Sequence, residues 1–160
     1  MRQILATYVD PSRRRVEARD PKGHVVVMDG SPPDGDGSGM SPRAALLAAL
    51  AGCAAMDVAS ILVKKRQRVT AYEIAVVGDE APEHPQVFTA IRVEHRVRGN
   101  VDPEAVRRAV ELSATRYCPV SALLSRGVAI EHRYRLTSPD GAETAAALVA
   151  VTGPDGVRLG

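Results

Sequence analysis

The chain has 160 residues, 45% of them hydrophobic and 25% charged, which fits one globular domain and excludes a generally disordered chain. Its 21 basic and 19 acidic residues leave a formal net charge of +2, scattered and interleaved, so nucleic acid is not an expected partner. Aromatics are only 3%, with no Trp and one Phe, so the core must be built from Ala, Val, Leu and Ile; such a core is thin for a lone subunit and points toward association.

Residues 3–9 and 24–28 read as strands, with Val16 to Ala18 as a shorter one after the turn Asp10-Pro11-Ser12. The stretch SPPDGDGSG over 31–39 reads as a flexible connector; it lacks the Lys and the register of a phosphate-binding loop. Ser41 is an N-cap and Pro42 a first helical residue, opening a helix to Arg66 whose first half is apolar all round, a pattern that predicts burial on every side. The longest uninterrupted apolar run, Ala44 to Met56, is 13 residues, shorter than a membrane span, and the N-terminus lacks the pattern of a signal peptide. A cytoplasmic chain with no membrane partner is expected.

Residues 71–77 and 87–98 follow as strands. The second alternates sharply, with Ile91, Val93, His95 and Val97 on one face and Arg92, Glu94, Arg96 and Arg98 on the other, as in a half-exposed antiparallel strand. Asp102-Pro103-Glu104 starts a second helix with Val106, Ala109, Val110 and Ser113 on its packing face. Pro119 starts a short third helix closing near Gly127, and residues 128–136 alternate with Ile130, His132, Tyr134 and Leu136 inward. The division is a domain over 1–136 and an extension over 137–160, open between a final strand and a loose tail.

The two cysteines, Cys53 and Cys118, stand 65 positions apart and form no CxxC pair. In a cytosolic chain they read as thiols with chemistry more than as a staple. On local terms Cys53, mid-helix among apolar residues, is the inert one. Cys118, at a helix N-terminus, is the more acidic.

The run Ser41-Pro42-Arg43-Ala44-Ala45-Leu46-Leu47-Ala48-Ala49-Leu50-Ala51-Gly52-Cys53-Ala54-Ala55-Met56-Asp57-Val58 resembles the first-cysteine helix of the OsmC/Ohr family. Glu111-Leu112-Ser113 followed by Tyr117-Cys118-Pro119-Val120-Ser121 resembles its second-cysteine segment, and the order of elements over residues 4–136 agrees. The resemblance implies an α+β fold, with antiparallel sheets wrapped around the long central helices of an intertwined homodimer. It also implies a thiol peroxidase for organic hydroperoxides. Cys53 would be the peroxidatic thiol and Cys118 the resolving thiol, with an external dithiol as reductant and no cofactor.

The sequence departs from that pattern at the helix start, where Arg43-Ala44 stands in place of an expected Glu. Among Arg13, Arg14 and Arg15, Arg14 is the candidate for the arginine that steadies the thiolate. Asp57, four residues after Cys53, opposes thiolate formation unless it is paired. His95 and His132 read as buried, hydrogen-bonded histidines, and no metal is expected. The alternative function is a non-catalytic OsmC-like dimer that senses redox state or binds a small apolar ligand; a third reading makes both cysteines core residues of a structural dimer.

Overall fold

The computed structural model describes residues 1–10 and 14–160. Pro11, Ser12 and Arg13, and with them the expected turn and one candidate arginine, lie outside the described residues. The chain forms two units, Met1–Leu46 and Leu47–Gly160.

The first unit holds β1 (Leu5–Asp10), β2 (Arg15–Arg19) and β3 (Val25–Met28) in an antiparallel sheet of that order. The turn between β2 and β3 is closed by Asp20, whose carboxylate accepts from the backbone N–H groups of Lys22 and His24 at 2.9 and 3.0 Å. The connector after β3 is more tied down than its composition suggests. Buried Asp29 accepts from the backbone N–H and the hydroxyl of Ser38 at 2.9 and 2.7 Å, and Met28 bridges to Met40.

Helix α1 (Pro42–Lys64) begins as its sequence predicts, with Ser41 Oγ accepting from the Ala44 N–H at 3.2 Å. Its end is less expected. The Arg66 N–H donates to Val63 O and the Gln67 N–H to Leu62 O, with Arg66 at φ 54°, so an arginine fills the left-handed position that glycine usually takes.

The second unit is a five-stranded sheet with helices on one face. After α1 come β4 (Arg68–Glu80), β5 (Phe88–Asn100), α2 (Pro103–Leu112), a π-helical turn (Ser113–Tyr117), α3 (Pro119–Leu124), β6 (Ala129–Thr137), β7 (Glu143–Gly153) and β8 (Gly156–Leu159), with sheet order β4-β5-β6-β7-β8. Residues 143–159 thus pair into the sheet as β7 and β8. The neighbours are antiparallel except β5 and β6, which run parallel with His95 opposite Tyr134 and Val93 opposite His132. The sheet is therefore mixed where β5 was expected to pair as an antiparallel strand. Alternation has the same period in both kinds of pairing, and the α2–α3 crossover sets the direction.

The outer sheet face is ionic. Arg92 pairs with Asp79 at 2.8 Å, Arg133 with Glu131 at 2.9 Å, and Glu94 with Arg96 at 2.8 Å and Arg135 at 3.4 Å. Such exposed pairs add little stability each and mark a water-facing surface.

The inner face packs two apolar clusters. One gathers Val58 and Leu62 of α1, Val97 of β5, Val106, Ala109 and Val110 of α2, and Leu136 of β6. The other gathers Leu50 and Ala54 of α1, Ile91 and Val93 of β5, Cys118, and Ile130 of β6. Along β5, His95 separates Val93 from Val97; along β6, His132 separates Ile130 from Tyr134 and Leu136. A polar seam thus lies between the clusters.

Within one chain α1 is not buried on all sides. Its buried residues, Leu50, Ala54, Val58 and Leu62, form a single stripe at four-residue spacing, while Met56 and Val63 are 76% and 74% exposed. By length and composition the helix could cross a membrane, because apolar residues continue past Asp57, and only 22% of its most apolar window is buried by this chain. A core helix passes the same test, and the stripe of α1 packs against β5 and β6.

Candidate functional site

Cys53 and Asp57 lie one helical turn apart on α1, beside the buried stripe. Cys118 is delivered by a different device. The π-helical turn ends with its N–H donating to Ser113 O at 3.0 Å, and Pro119 then opens α3 with Cys118 as the N-cap. Its Sγ takes the place of a capping oxygen, accepting from the Ser121 N–H at 3.3 Å. These elements bring Cys53 Sγ, an Asp57 carboxylate oxygen and Cys118 Sγ within 4.8 Å of one another, and both cysteines are free thiols. The buried Ser113 hydroxyl donates to Asp57 Oδ2 at 3.2 Å.

The two sulfurs differ in environment. Cys53 is half-buried, whereas Cys118 is only 2% exposed. Burial pushes the Cys118 thiol up to about 12; the Ser121 N–H pulls against that shift, and the neighbouring Cys53 adds to it. Packing therefore opposes the acidity that a place at a helix N-terminus suggests for Cys118. Helix α3 has six residues, and the dipole of so short a helix does not offset the loss of water around its sulfur.

The seam continues across the sheet. Tyr72 of β4 hydrogen-bonds through its hydroxyl to His95 Nδ1 at 2.6 Å, with the rings stacked at 6.1 Å. Burial raises the Tyr72 pKa, and the negative charge of Asp57 raises it further. Burial lowers His95 to about 3, helped by nearby His132, and burial lowers His132 to about 4. Both imidazoles are neutral at physiological pH. His132 Nε2 lies 3.3 Å from Thr152 Oγ1 and 3.4 Å from Ser121 Oγ, while His95 Nε2 has no hydrogen-bond partner among the described residues.

The structure brings Cys53, Cys118 and Asp57 together and places His95 and His132 on the inward face, as their alternation predicts. Arg14 belongs to the first unit, where its guanidinium pairs with the Asp34 carboxylate at 3.2 Å and its backbone N–H donates to Asp34 O at 3.3 Å. Ser113, Ser121 and Tyr72 were missed as site residues. The available signals were a polar Ser113 where the apolar face of α2 ends and the place of Ser121 three residues after Cys118; nothing local marks Tyr72.

The family described as OsmC-like protein matches residues 35–133. Protein YhfA of Escherichia coli strain K12 is 39% identical over 117 residues, covering 72% of this chain and 85% of that protein. The crystal structure of an OsmC-like protein from Mycoplasma pneumoniae aligns with a TM-score of 0.70 and 18% identity, covering 86% of this chain and 96% of that one. The organic hydroperoxide resistance protein OhrB of Bacillus subtilis aligns with a TM-score of 0.58 and 15% identity, covering 86% and 97%. At these identities the two structures bear on the fold alone.

Proposed function

The chain belongs to the OsmC-like protein family, and we propose that it is a thiol peroxidase that reduces organic hydroperoxides, with Cys53 as nucleophile and Cys118 as resolving thiol. The observation that carries the proposal is the meeting, within 4.8 Å, of the sulfurs of a half-buried and a buried cysteine from positions 65 apart in the chain. In this reading peroxide meets the less buried thiol, and the buried one captures the product. The proposed substrate class is that named for the Bacillus subtilis protein, whose likeness to this chain is one of fold.

The Cys53 thiolate attacks the outer oxygen of the hydroperoxide. The O–O bond breaks, the departing alkoxide takes a proton to become an alcohol, and Cys53 becomes a sulfenic acid. The Cys118 sulfur then attacks the sulfenic sulfur, its proton leaves with the hydroxyl as water, and a Cys53–Cys118 disulfide remains. An external dithiol reduces that disulfide by two exchange steps and leaves as its own disulfide. The uncovered apolar side of α1, with Met56 and Val63 exposed, supports a homodimer in which a second copy covers the helix.

The test is turnover of cumene hydroperoxide with a dithiol reductant. Wild-type protein is expected to cycle repeatedly, Cys53→Ser to lose peroxide consumption, and Cys118→Ser to accumulate over-oxidised Cys53. Unchanged turnover in Cys53→Ser overturns the reading. A redox sensor is the second reading. It is favoured by the start of α1, where Arg43-Ala44 stands in place of the Glu expected of a peroxidase. A single stoichiometric oxidation without cycling decides for it.

A further inference from the structure

Asp57 has no task in the steps above. It is nevertheless a built feature: it stands one turn from Cys53, and Ser113 holds its Oδ2 in place. Its hydrogen-bond partner is a neutral hydroxyl, and among the described residues no Lys or Arg makes an ion pair with it, in contrast to Asp79, Glu94 and Glu131 on the outer sheet face. Two thiols and a carboxylate therefore converge within 4.8 Å, and together they can carry three negative charges with no cationic side chain paired to the carboxylate.

We propose that the reduced protein binds one thiophilic divalent cation, Zn²⁺, per chain through Cys53 Sγ, Cys118 Sγ and the Asp57 carboxylate. The geometry fits such an ion. Tetrahedral zinc with bonds of about 2.3 Å to sulfur and about 2.0–2.2 Å to oxygen separates its ligand atoms by roughly 3.5–3.8 Å. The three atoms, now within 4.8 Å, need close by only about an ångström, the scale of a side-chain torsion. Cys53 and Asp57 have the i, i+4 helical spacing by which paired ligands grip one metal from one helix face. Two sulfur donors select zinc over magnesium or calcium, which take oxygen ligands. Outer contacts orient the ligands, with the Ser113 hydroxyl on Asp57 and the Ser121 N–H on Cys118 Sγ. Three protein ligands leave a fourth position for water, the arrangement of an accessible site and not a closed structural one.

Binding requires both thiols to give up their protons, so affinity rises with pH. It also excludes disulfide formation, because the ion holds both sulfurs; conversely, the disulfide has no thiolate to offer. The proposal goes beyond the peroxidase reading and does not depend on it, since it concerns the reduced protein without peroxide.

The experiment is a titration of the reduced, metal-free full chain with Co²⁺ under anaerobic conditions, following the thiolate-to-cobalt charge-transfer and d–d bands, then back-titration with Zn²⁺. Bands that saturate at one equivalent per chain, vanish with Zn²⁺, and are lost in Cys53→Ser and Cys118→Ser are expected. Asp57→Asn, which keeps the side chain's size, is expected to bind at least about tenfold more weakly. Wild-type protein oxidised to the internal disulfide is expected to show no bands, which provides a control that does not rely on a variant folding. Absence of thiolate bands in natively folded protein whose two thiols still titrate overturns the proposal. So does unchanged cobalt affinity in Asp57→Asn. Either failure leaves peroxide turnover untouched, and loss of peroxide turnover leaves the cobalt titration untouched, so the two readings fail separately.

Discussion

Val93 and His95 stand two residues apart on one face of β5, and both are fully buried, yet they belong to different kinds of interior. Val93 sits in an apolar cluster where burial alone stabilises it. His95 sits in the seam, hydrogen-bonded on one nitrogen and without a partner on the other, and is held neutral by the loss of water. The clusters hold the sheet and helices together. The seam between them is a standing cost, and it is the seam that borders the two sulfurs through Tyr72, Asp57, Ser113 and Ser121.

The sharpest way to break this contrast is acid. The folded pKa values of His95 and His132, about 3 and about 4, lie below the ordinary value of 6.5, so the unfolded chain binds more protons as pH falls through 6.5. Their titration adds no cost above about pH 7 and destabilises the fold progressively below it. The loss is expected to reach about 4 kcal/mol at pH 5, by denaturant unfolding. Exposed His24, raised by Asp20, works in the opposite direction. His95→Gln with His132→Gln is expected to flatten the slope between pH 7 and 5; a wild-type stability that does not change over that interval contradicts the seam as described.

In the clusters the expected response is steric. Leu62→Ala empties space around a residue that is 1% exposed and is expected to cost about 3 kcal/mol with no dependence on pH between 5 and 7. Ser113→Ala removes the donor to Asp57 and is expected to cost about 1–2 kcal/mol, measured in the same way. The smallest effect lies outside both regions. Arg66→Gly relieves the left-handed backbone after α1 and is expected to stabilise by about 0.5–1 kcal/mol in thermal unfolding.

Much of this was legible along the chain. Ser41, Pro42, Asp102 and Pro103 announce two helix starts by cap chemistry, and the alternation of 87–98 and 128–136 assigns inward and outward faces. What was not legible depends on partners distant in sequence. Nothing in β5 or β6 alone tells that they run parallel. Cys118 carries the local mark of an acidic thiol, and only the packing of its surroundings reverses that sign. The pairing of the sulfurs entered through family resemblance, since neither spacing nor composition brings positions 53 and 118 together. Asp57 reads from sequence as an adverse charge in need of a partner, and that partner, Ser113, stands 56 positions away.

The central claim is that Cys53 and Cys118 are one functional pair, and the intact mass of the chain tests it most directly. Reduced protein is exposed to one equivalent of cumene hydroperoxide, then denatured in the presence of an alkylating agent. The account predicts a chain lighter by two hydrogens, resistant to alkylation, with a peptide joining Cys53 to Cys118. Two alkylated cysteines with the peroxide unconsumed would contradict it.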